Sequence, residues 1–140
     1  MEALTAKKTC IRISVRNLVE FVIRSGDIDN RRTAGAEKDA MQAGSRIHRK
    51  LQKKMGADYR PEVVLRHTVE MDGYQIVLEG RADGVIESPA ETVIDEIKAV
   101  YMDLRLLEEP VPVHLAQALC YAYMYLSLIH ISEPTRRVVI

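Results

Sequence analysis

The sequence predicts an α/β fold, a sandwich in which helices flank a mixed central sheet with an antiparallel meander. Three observations predict it. Apolar residues alternate in some segments, as in strands, and recur with helical spacing in others. These segments follow one another as strand, two helices, three strands and a helix. The length of 140 residues fits one domain rather than two.

The first half of the chain is predicted to hold a strand and two helices. Residues 9–13 alternate weakly and form the strand, and Ser14 is a suitable N-cap for a helix over 15–24. Glycine, aspartate and asparagine residues make 25–36 a loop. An apolar stripe predicts the longer helix over 37–55, which a glycine ends.

The second half is predicted to hold the meander and a last helix. An Asp-Gly pair, typical of a tight hairpin, joins strands over 62–70 and 74–86. After a turn that contains a proline, a third strand covers 92–100. Two prolines then precede a helix over 113–125. The three strands follow one another closely, which favours antiparallel neighbours in one sheet.

Composition restricts the classes of function. The formal net charge is zero, with 20 basic and 20 acidic residues, which argues against a protein that coats nucleic acid by bulk electrostatics. One basic run in the second helix is either a solvated helix face or a local patch: Arg46, His48, Arg49, Lys50, Lys53 and Lys54. Two isolated cysteines cannot hold an iron–sulfur cluster alone. With no apolar run of membrane-spanning length, we expect a cytoplasmic protein without membrane association.

Polar side chains on two neighbouring strands of the predicted meander are the candidates for chemistry. Asp83 lies on the polar face of its strand, and Glu96 and Lys98 share one face of the next. If these strands pair, the two carboxylates converge, and with a backbone carbonyl they suit Mg²⁺ or Mn²⁺. Lys98 would orient and help to deprotonate a bound water. The alternative is a structural Glu96–Lys98 pair, with Asp83 merely opening a turn.

Two further charged residues belong to these strands. Arg81 shares the strand face of Asp83, and it either contacts a phosphate or pairs with Glu79 or another carboxylate. Asp95 lies on the opposite strand face from Glu96, which excludes it from the predicted metal site.

Several strings resemble motifs of the PD-(D/E)XK nuclease superfamily. The core strings are Gly80-Arg81-Ala82-Asp83 and Asp95-Glu96-Ile97-Lys98. His48 before the sheet, and Gln117 and Tyr121 in a Q-x-x-x-Y spacing, are similar to motifs of the RecB-type branch. Over about residues 9–125 the chain further resembles the N-terminal nuclease-like domain of bacterial DinG/XPD-type ATP-dependent DNA helicases, through 14–21, 24–29 and 41–45.

This resemblance implies a restriction-endonuclease-like three-layer core that carries a DNA nuclease site. The catalytic residues would be Asp83, Glu96 and Lys98. The metal ligands would be His48, Asp83, Glu96 and the carbonyl of Ile97. The expected contacts with DNA come from Gln117, Tyr121, Arg81 and Lys50, the last of which would flank the groove if His48 faces the metal.

The sequence therefore predicts a Mg²⁺- or Mn²⁺-dependent DNA nuclease. We expect an exonuclease of DNA repair or recombination that acts beside a helicase domain in the same polypeptide. The alternative is a catalytically silent DNA-binding or structural module of a DNA helicase. Residues 1–125 are expected to form the nuclease domain, as a fragment of a longer protein, and 126–140 to be a non-native, adapter-derived tail.

Overall fold

The fold is described by a computed structural model that covers residues 7–23, 34–99, 103–129 and 137–139. For residues 34–37, 129 and 137–139 the description is limited to the backbone. Most of the predicted loop over 25–36 lies outside these residues.

Four strands and three helices form the body of the described chain, with one short strand added near its end. In order they are β1 (Thr9–Ser14), α1 (Val15–Val22), α2 (Ala34–Lys54), β2 (Tyr59–Glu70), β3 (Tyr74–Glu87), β4 (Glu91–Asp95), a 3₁₀ turn (Leu104–Leu106), α3 (Pro112–Ile129) and β5 (Arg137–Val139). The predicted α/β fold, with a mixed sheet and an antiparallel β2-β3-β4 meander, is confirmed.

Local chemistry explains the two sharpest predicted boundaries. The Oγ of Ser14 accepts a 3.1 Å hydrogen bond from the backbone N–H of Asn17, as expected of an N-cap at the start of α1. Gly73 takes a φ of 78° in the turn between β2 and β3, a conformation that glycine adopts without a steric cost. The start of α1 and the turn between β2 and β3 therefore lie where the sequence predicts them.

The long strand β3 organises the sheet. β2 pairs antiparallel along almost its whole length, and so occupies one edge of β3. The other edge is shared: β1 runs parallel to residues 74–79, and β4 runs antiparallel to residues 84–87. The end of β1 lies beside Glu79 and the end of β4 beside Gly84. The carboxyl ends of two strands therefore meet across a gap along residues 80–83.

Helices α1 and α3 cover one face of the sheet and enclose the core. The buried cluster joins residues of both helices to the strands: Val15, Val19, Leu65, Ala82, Val85, Ile94, Tyr121, Ala122, Met124 and Tyr125. Gly80 allows this close packing, because a Cβ there would lie 2.5 Å from Cε1 of Tyr121 and 2.9 Å from Cγ2 of Val15. The part of β3 around Gly80 is thereby packed against both helices.

The alternation of β3 changes phase at Asp83. Ala82 and Val85 are three residues apart, yet both are fully buried in the same cluster, which a regular strand does not permit. On the neighbouring strand, Glu62 faces this point with a φ of 55° and forms no ladder pair with Asp83. A left-handed φ is unusual for a residue with a side chain, so the backbone is strained here.

Several predicted boundaries differ from the structure. Strand β2 begins at Tyr59 instead of residue 62, and α2 begins at Ala34, within the loop predicted over 25–36. The strand predicted over 92–100 ends at Asp95, so Glu96 and Lys98 follow β4 instead of lying within it. The last helix continues past the predicted domain boundary at 125, to Ile129. Residues 137–139, which belong to the predicted tail, pair in parallel with β4. Within the described residues, no helix has the length and apolar character that a membrane span requires.

Candidate active site

The gap in the sheet opens into a groove. This groove, of about 1110 Å³, lies between α2, the start of α1, the edge of β3 and the first half of α3. The three predicted catalytic residues and the predicted metal ligand His48, which come from three separate segments, line it: His48, Asp83, Glu96 and Lys98. The fold thus brings together side chains that are as much as fifty positions apart in the sequence.

Asp83 is held from two sides at the phase change of β3. Its Oδ2 accepts a 2.7 Å hydrogen bond from the backbone N–H of Ile97, and its Oδ1 lies 3.4 Å from Nδ1 of His48. Only 13% of the Asp83 side chain is exposed. The first residues after β4 and the middle of α2 therefore both contact this carboxylate.

Glu96 and Lys98 form an ion pair immediately after β4. Nζ of Lys98 lies 2.8 Å from Oε1 of Glu96, whose side chain is only 9% exposed. The other carboxylate oxygen, Oε2, is buried and has no hydrogen-bond partner among the described residues. A buried carboxylate oxygen without a donor is costly, so this atom is free to bind a further positive group.

Burial disfavours the charge on both acids. Desolvation raises the pKa of Asp83, although the Ile97 N–H and the nearby His48 oppose this shift. Desolvation likewise raises the pKa of Glu96, against the hydrogen bond from Lys98 and with a further contribution from the charge of Asp83. Two carboxyl groups with raised pKa values that influence one another are typical of functional sites.

A second polar network, which the sequence analysis missed, adjoins Asp83. Nε2 of Gln52 donates to Oε1 of Glu62 at 3.0 Å and to the backbone carbonyl of Asp83 at 2.9 Å. Arg81 pairs with the same carboxylate, with its Nε 2.7 Å from Oε2 of Glu62. Arg81 thus takes the pairing alternative, with Glu62 as its partner and not Glu79.

Gln117 and Tyr121 lie at the inner wall of the groove. Both belong to α3, and they are only 4% and 6% exposed. Burial raises the pKa of Tyr121 to about 12, with the charges of Glu96 and Asp83 adding to the shift and a backbone hydrogen bond from Arg81 opposing it. These side chains support the strands behind the acids, and little of their surface faces solvent.

The basic run of α2 divides around the groove. Arg49 lines it, next to His48, whereas Lys50 is exposed and does not belong to the lining. One residue turns a helix by about 100°, so neighbouring positions face different directions. Of the two, Arg49 is the better placed for a ligand in the groove.

Asp95, which was predicted to lie outside the metal site, contacts Tyr59. It accepts a 2.9 Å hydrogen bond from the Tyr59 hydroxyl. The Tyr59 ring lies directly over Gly84, where a Cβ would overlap it. Burial, with Asp95 contributing, raises the pKa of Tyr59.

The residues present fit a hard cation in their chemistry. Asp83 and Glu96 supply carboxylate oxygens, and the unpartnered Oε2 of Glu96 is an available donor. Within the described part of the chain, however, histidine, cysteine, aspartate and glutamate side chains do not gather in a group of three or more that could hold a metal ion. The acids and His48 are therefore close to one another without forming a complete cage.

Comparison with known proteins identifies the fold and no family. No protein-family model matches the chain, and no curated protein does. Among solved structures, the chain is similar to the crystal structure of SSO0001, with a TM-score of 0.56 and 22% sequence identity. The match covers 87% of this chain and 60% of that chain. The chain thus spans less than two thirds of the SSO0001 chain, and the likeness concerns the fold alone.

Proposed function

We propose that this chain is a metal-dependent deoxyribonuclease domain, in which Asp83, Glu96 and Lys98 hydrolyse phosphodiester bonds. One observation carries the proposal. Two partly desolvated carboxylates and an amine, from strand β3 and from the segment after β4, meet at the gap in the sheet and face one groove. Burial of such groups is expensive without a function that uses their charge.

The ligands of the proposed Mg²⁺ or Mn²⁺ are His48, Asp83, Glu96 and the carbonyl of Ile97. When bound, such an ion would lower the pKa of a coordinated water and stabilise negative charge on the phosphodiester. Oxygen donors suit these hard cations, and the orphaned Oε2 of Glu96 would gain a partner.

Lys98 has a different part in the proposed reaction. Its ammonium group is held 2.8 Å from Glu96, so its position is set before any substrate arrives. From there it would orient the attacking water and stabilise negative charge on the phosphate. Glu96 would thus serve both as a ligand and as the residue that positions Lys98.

DNA is the proposed partner in the groove. Arg49 is the proposed contact to its backbone, because a guanidinium binds phosphate oxygens with two donors. Gln117 and Tyr121 would act from the inner wall, and Arg81 after exchange of its Glu62 partner. We further propose exonuclease action in DNA repair or recombination, in the cytoplasm and beside a helicase domain of the same polypeptide.

One observation favours the rival, a silent DNA-binding or structural module. The described residues contain no group of three metal-binding side chains, and each site acid already has a contact in the protein. In that case the Glu96–Lys98 pair would be a structural element. A buried ion pair contributes little net stability, which makes this role weaker than a catalytic one.

The test is cleavage of end-labelled single- and double-stranded DNA by the 140-residue chain with Mn²⁺ and with chelator. Asp83→Asn is the informative variant, because an amide oxygen still accepts the Ile97 hydrogen bond. Asp58→Asn, at an exposed position, is its control. The nuclease predicts cleavage that requires both Mn²⁺ and Asp83. Metal-independent DNA binding without cleavage, in a folded protein, would establish the rival.

A further inference from the structure

We propose that Gln52 is a positioning residue that fixes α2, and with it His48, opposite Asp83. The role in catalysis rests on the nuclease function proposed above, whereas the role in holding α2 does not. Gln52 belongs to none of the motifs that the sequence analysis singled out. Three features indicate the role of Gln52. Helix α2 has few other contacts, both amide hydrogens of Gln52 are used, and their acceptors, Glu62 and the Asp83 carbonyl, lie at an interruption in the sheet.

Helix α2 is loosely attached to the body of the protein. It makes few contacts with the other described helices and strands. Its larger apolar side chains are exposed, namely Met41, Ile47 and Leu51. Apolar packing therefore does little to set the position of this helix over the groove, and specific polar contacts gain in importance.

Gln52 provides those contacts with a single atom. In the described part of the chain, its Nε2 donates both of the hydrogen bonds that join α2 to the sheet, to Glu62 and to the Asp83 carbonyl. A side-chain amide nitrogen has two hydrogens, so both are used. Both partners are acceptors, and the amide oxygen in that place would be repelled. The orientation of the side chain is thereby determined.

The acceptors lie at the one interruption in the β2–β3 ladder. Glu62 and Asp83 face each other without forming a pair, between the paired neighbours Pro61–Gly84 and Val63–Ala82. The Asp83 carbonyl therefore needs a donor from elsewhere, which Gln52 supplies. The same contact holds the backbone that aims the Asp83 carboxylate at the groove.

His48 depends on this anchor through helix geometry. It precedes Gln52 by four residues, so the two side chains lie on the same face of α2. With Gln52 bound to the carbonyl of Asp83, Nδ1 of His48 lies 3.4 Å from the carboxylate of the same residue. Release of Gln52 would let α2 move away and would separate His48 from Asp83.

The experiment compares three variants of the 140-residue chain. Gln52→Met keeps the size and removes the donors, Gln52→Lys keeps donors on a longer chain, and Gln42→Met is a control at an exposed position of the same helix. Amide hydrogen exchange along α2, Mn²⁺ affinity, and kcat and KM for DNA cleavage are measured. For Gln52→Met we expect faster exchange in α2, and losses of about tenfold in Mn²⁺ affinity and kcat, with KM changed less than about twofold.

The outcomes separate this inference from the proposed function. Gln52→Lys should restore the exchange rates and Mn²⁺ affinity to within about threefold of the wild type, since its ammonium can donate to both acceptors. If Gln52→Met leaves α2 exchange unchanged, or Gln52→Lys behaves no better than Gln52→Met, the inference is wrong. A wild-type chain that cleaves no DNA overturns the nuclease proposal, while the exchange rates still decide the role of Gln52.

Discussion

The backbone N–H of Ile97 donates a 2.7 Å hydrogen bond to Oδ2 of Asp83. This contact joins the segment after β4 to the exposed edge of β3, across the gap that β1 and β4 leave open. It does so beyond the last ladder pair, Gly84–Asp95. The carboxylate thus replaces a strand-to-strand hydrogen bond, and a candidate catalytic side chain also holds the backbone that carries Glu96 and Lys98.

The raised pKa of Asp83 predicts that Asp83→Asn stabilises the metal-free protein at neutral pH. A carboxyl whose pKa is raised on folding binds protons more tightly in the folded state, so stability falls as pH rises above its ordinary pKa of 3.8. The amide avoids this loss. We expect a gain of about 1 kcal/mol at pH 7 in denaturant unfolding with chelator. The gain should disappear below the ordinary pKa, and an equal gain at both pH values would contradict the explanation.

Lys98→Met should remove most of the proposed activity. The substitution deletes the amine and leaves Glu96 with neither oxygen bound to a cation. We expect kcat to fall about 100-fold or more, the scale for loss of a positioned catalytic group. Lys53→Met, at an exposed position of α2, is the control and should cleave like the wild type. A folded Lys98→Met protein with undiminished kcat would assign the ion pair to structure.

Arg49 and Lys50 should differ in their effects on DNA binding. Arg49 lines the groove and Lys50 does not, although the two are adjacent on α2. Arg49→Ala should weaken binding and lower the slope of log affinity against log salt by about one, as for one lost phosphate contact. Lys50→Ala should change the slope by much less. Fluorescence anisotropy with labelled DNA at several salt concentrations measures both, and equal effects would place the DNA on another surface.

Gly84 and Gly44 should respond in opposite directions to alanine. A Cβ at Gly84 overlaps the ring of Tyr59, whereas a Cβ at Gly44 meets nothing within 4 Å. Gly84→Ala should therefore cost about 2 kcal/mol of unfolding free energy through overpacking. Gly44→Ala, inside helix α2, should add up to about 1 kcal/mol. Thermal and urea unfolding of both variants would test this, and a neutral Gly84→Ala would show that Tyr59 yields easily.

The outline of the sheet could be predicted from the sequence because local patterns determine it. The Asp-Gly turn and the apolar alternation predict the β2–β3 hairpin, and Ser14 predicts the start of α1. The meeting of Asp83 with Glu96 followed from the hairpin order alone. The order of the strands is therefore enough to predict that the two acids lie close together, and the positions of the helices are not needed.

The other half of the site depends on contacts that no local pattern contains. Residues after Asp95 continue to alternate in sequence, yet β4 ends there, and beyond it the Ile97 N–H donates to the side chain of Asp83. The roles of Gln52 and Glu62 depend on a left-handed backbone at Glu62. Alternating polarity gives no sign of such a residue, which resembles an ordinary acid on a strand.

Because β1 and β4 share one edge of β3, we expect the parts of the sheet to form in a definite order during folding. The hairpin of β2 and β3 closes a short turn, whereas β1 must bring Thr9 beside Tyr74 from the far end of the chain. Pairings between distant residues form slowly, because a large loop has to close first. The groove is complete only after both partners have docked. In a refolding experiment, strand signals should therefore precede the ability to bind Mn²⁺ or DNA.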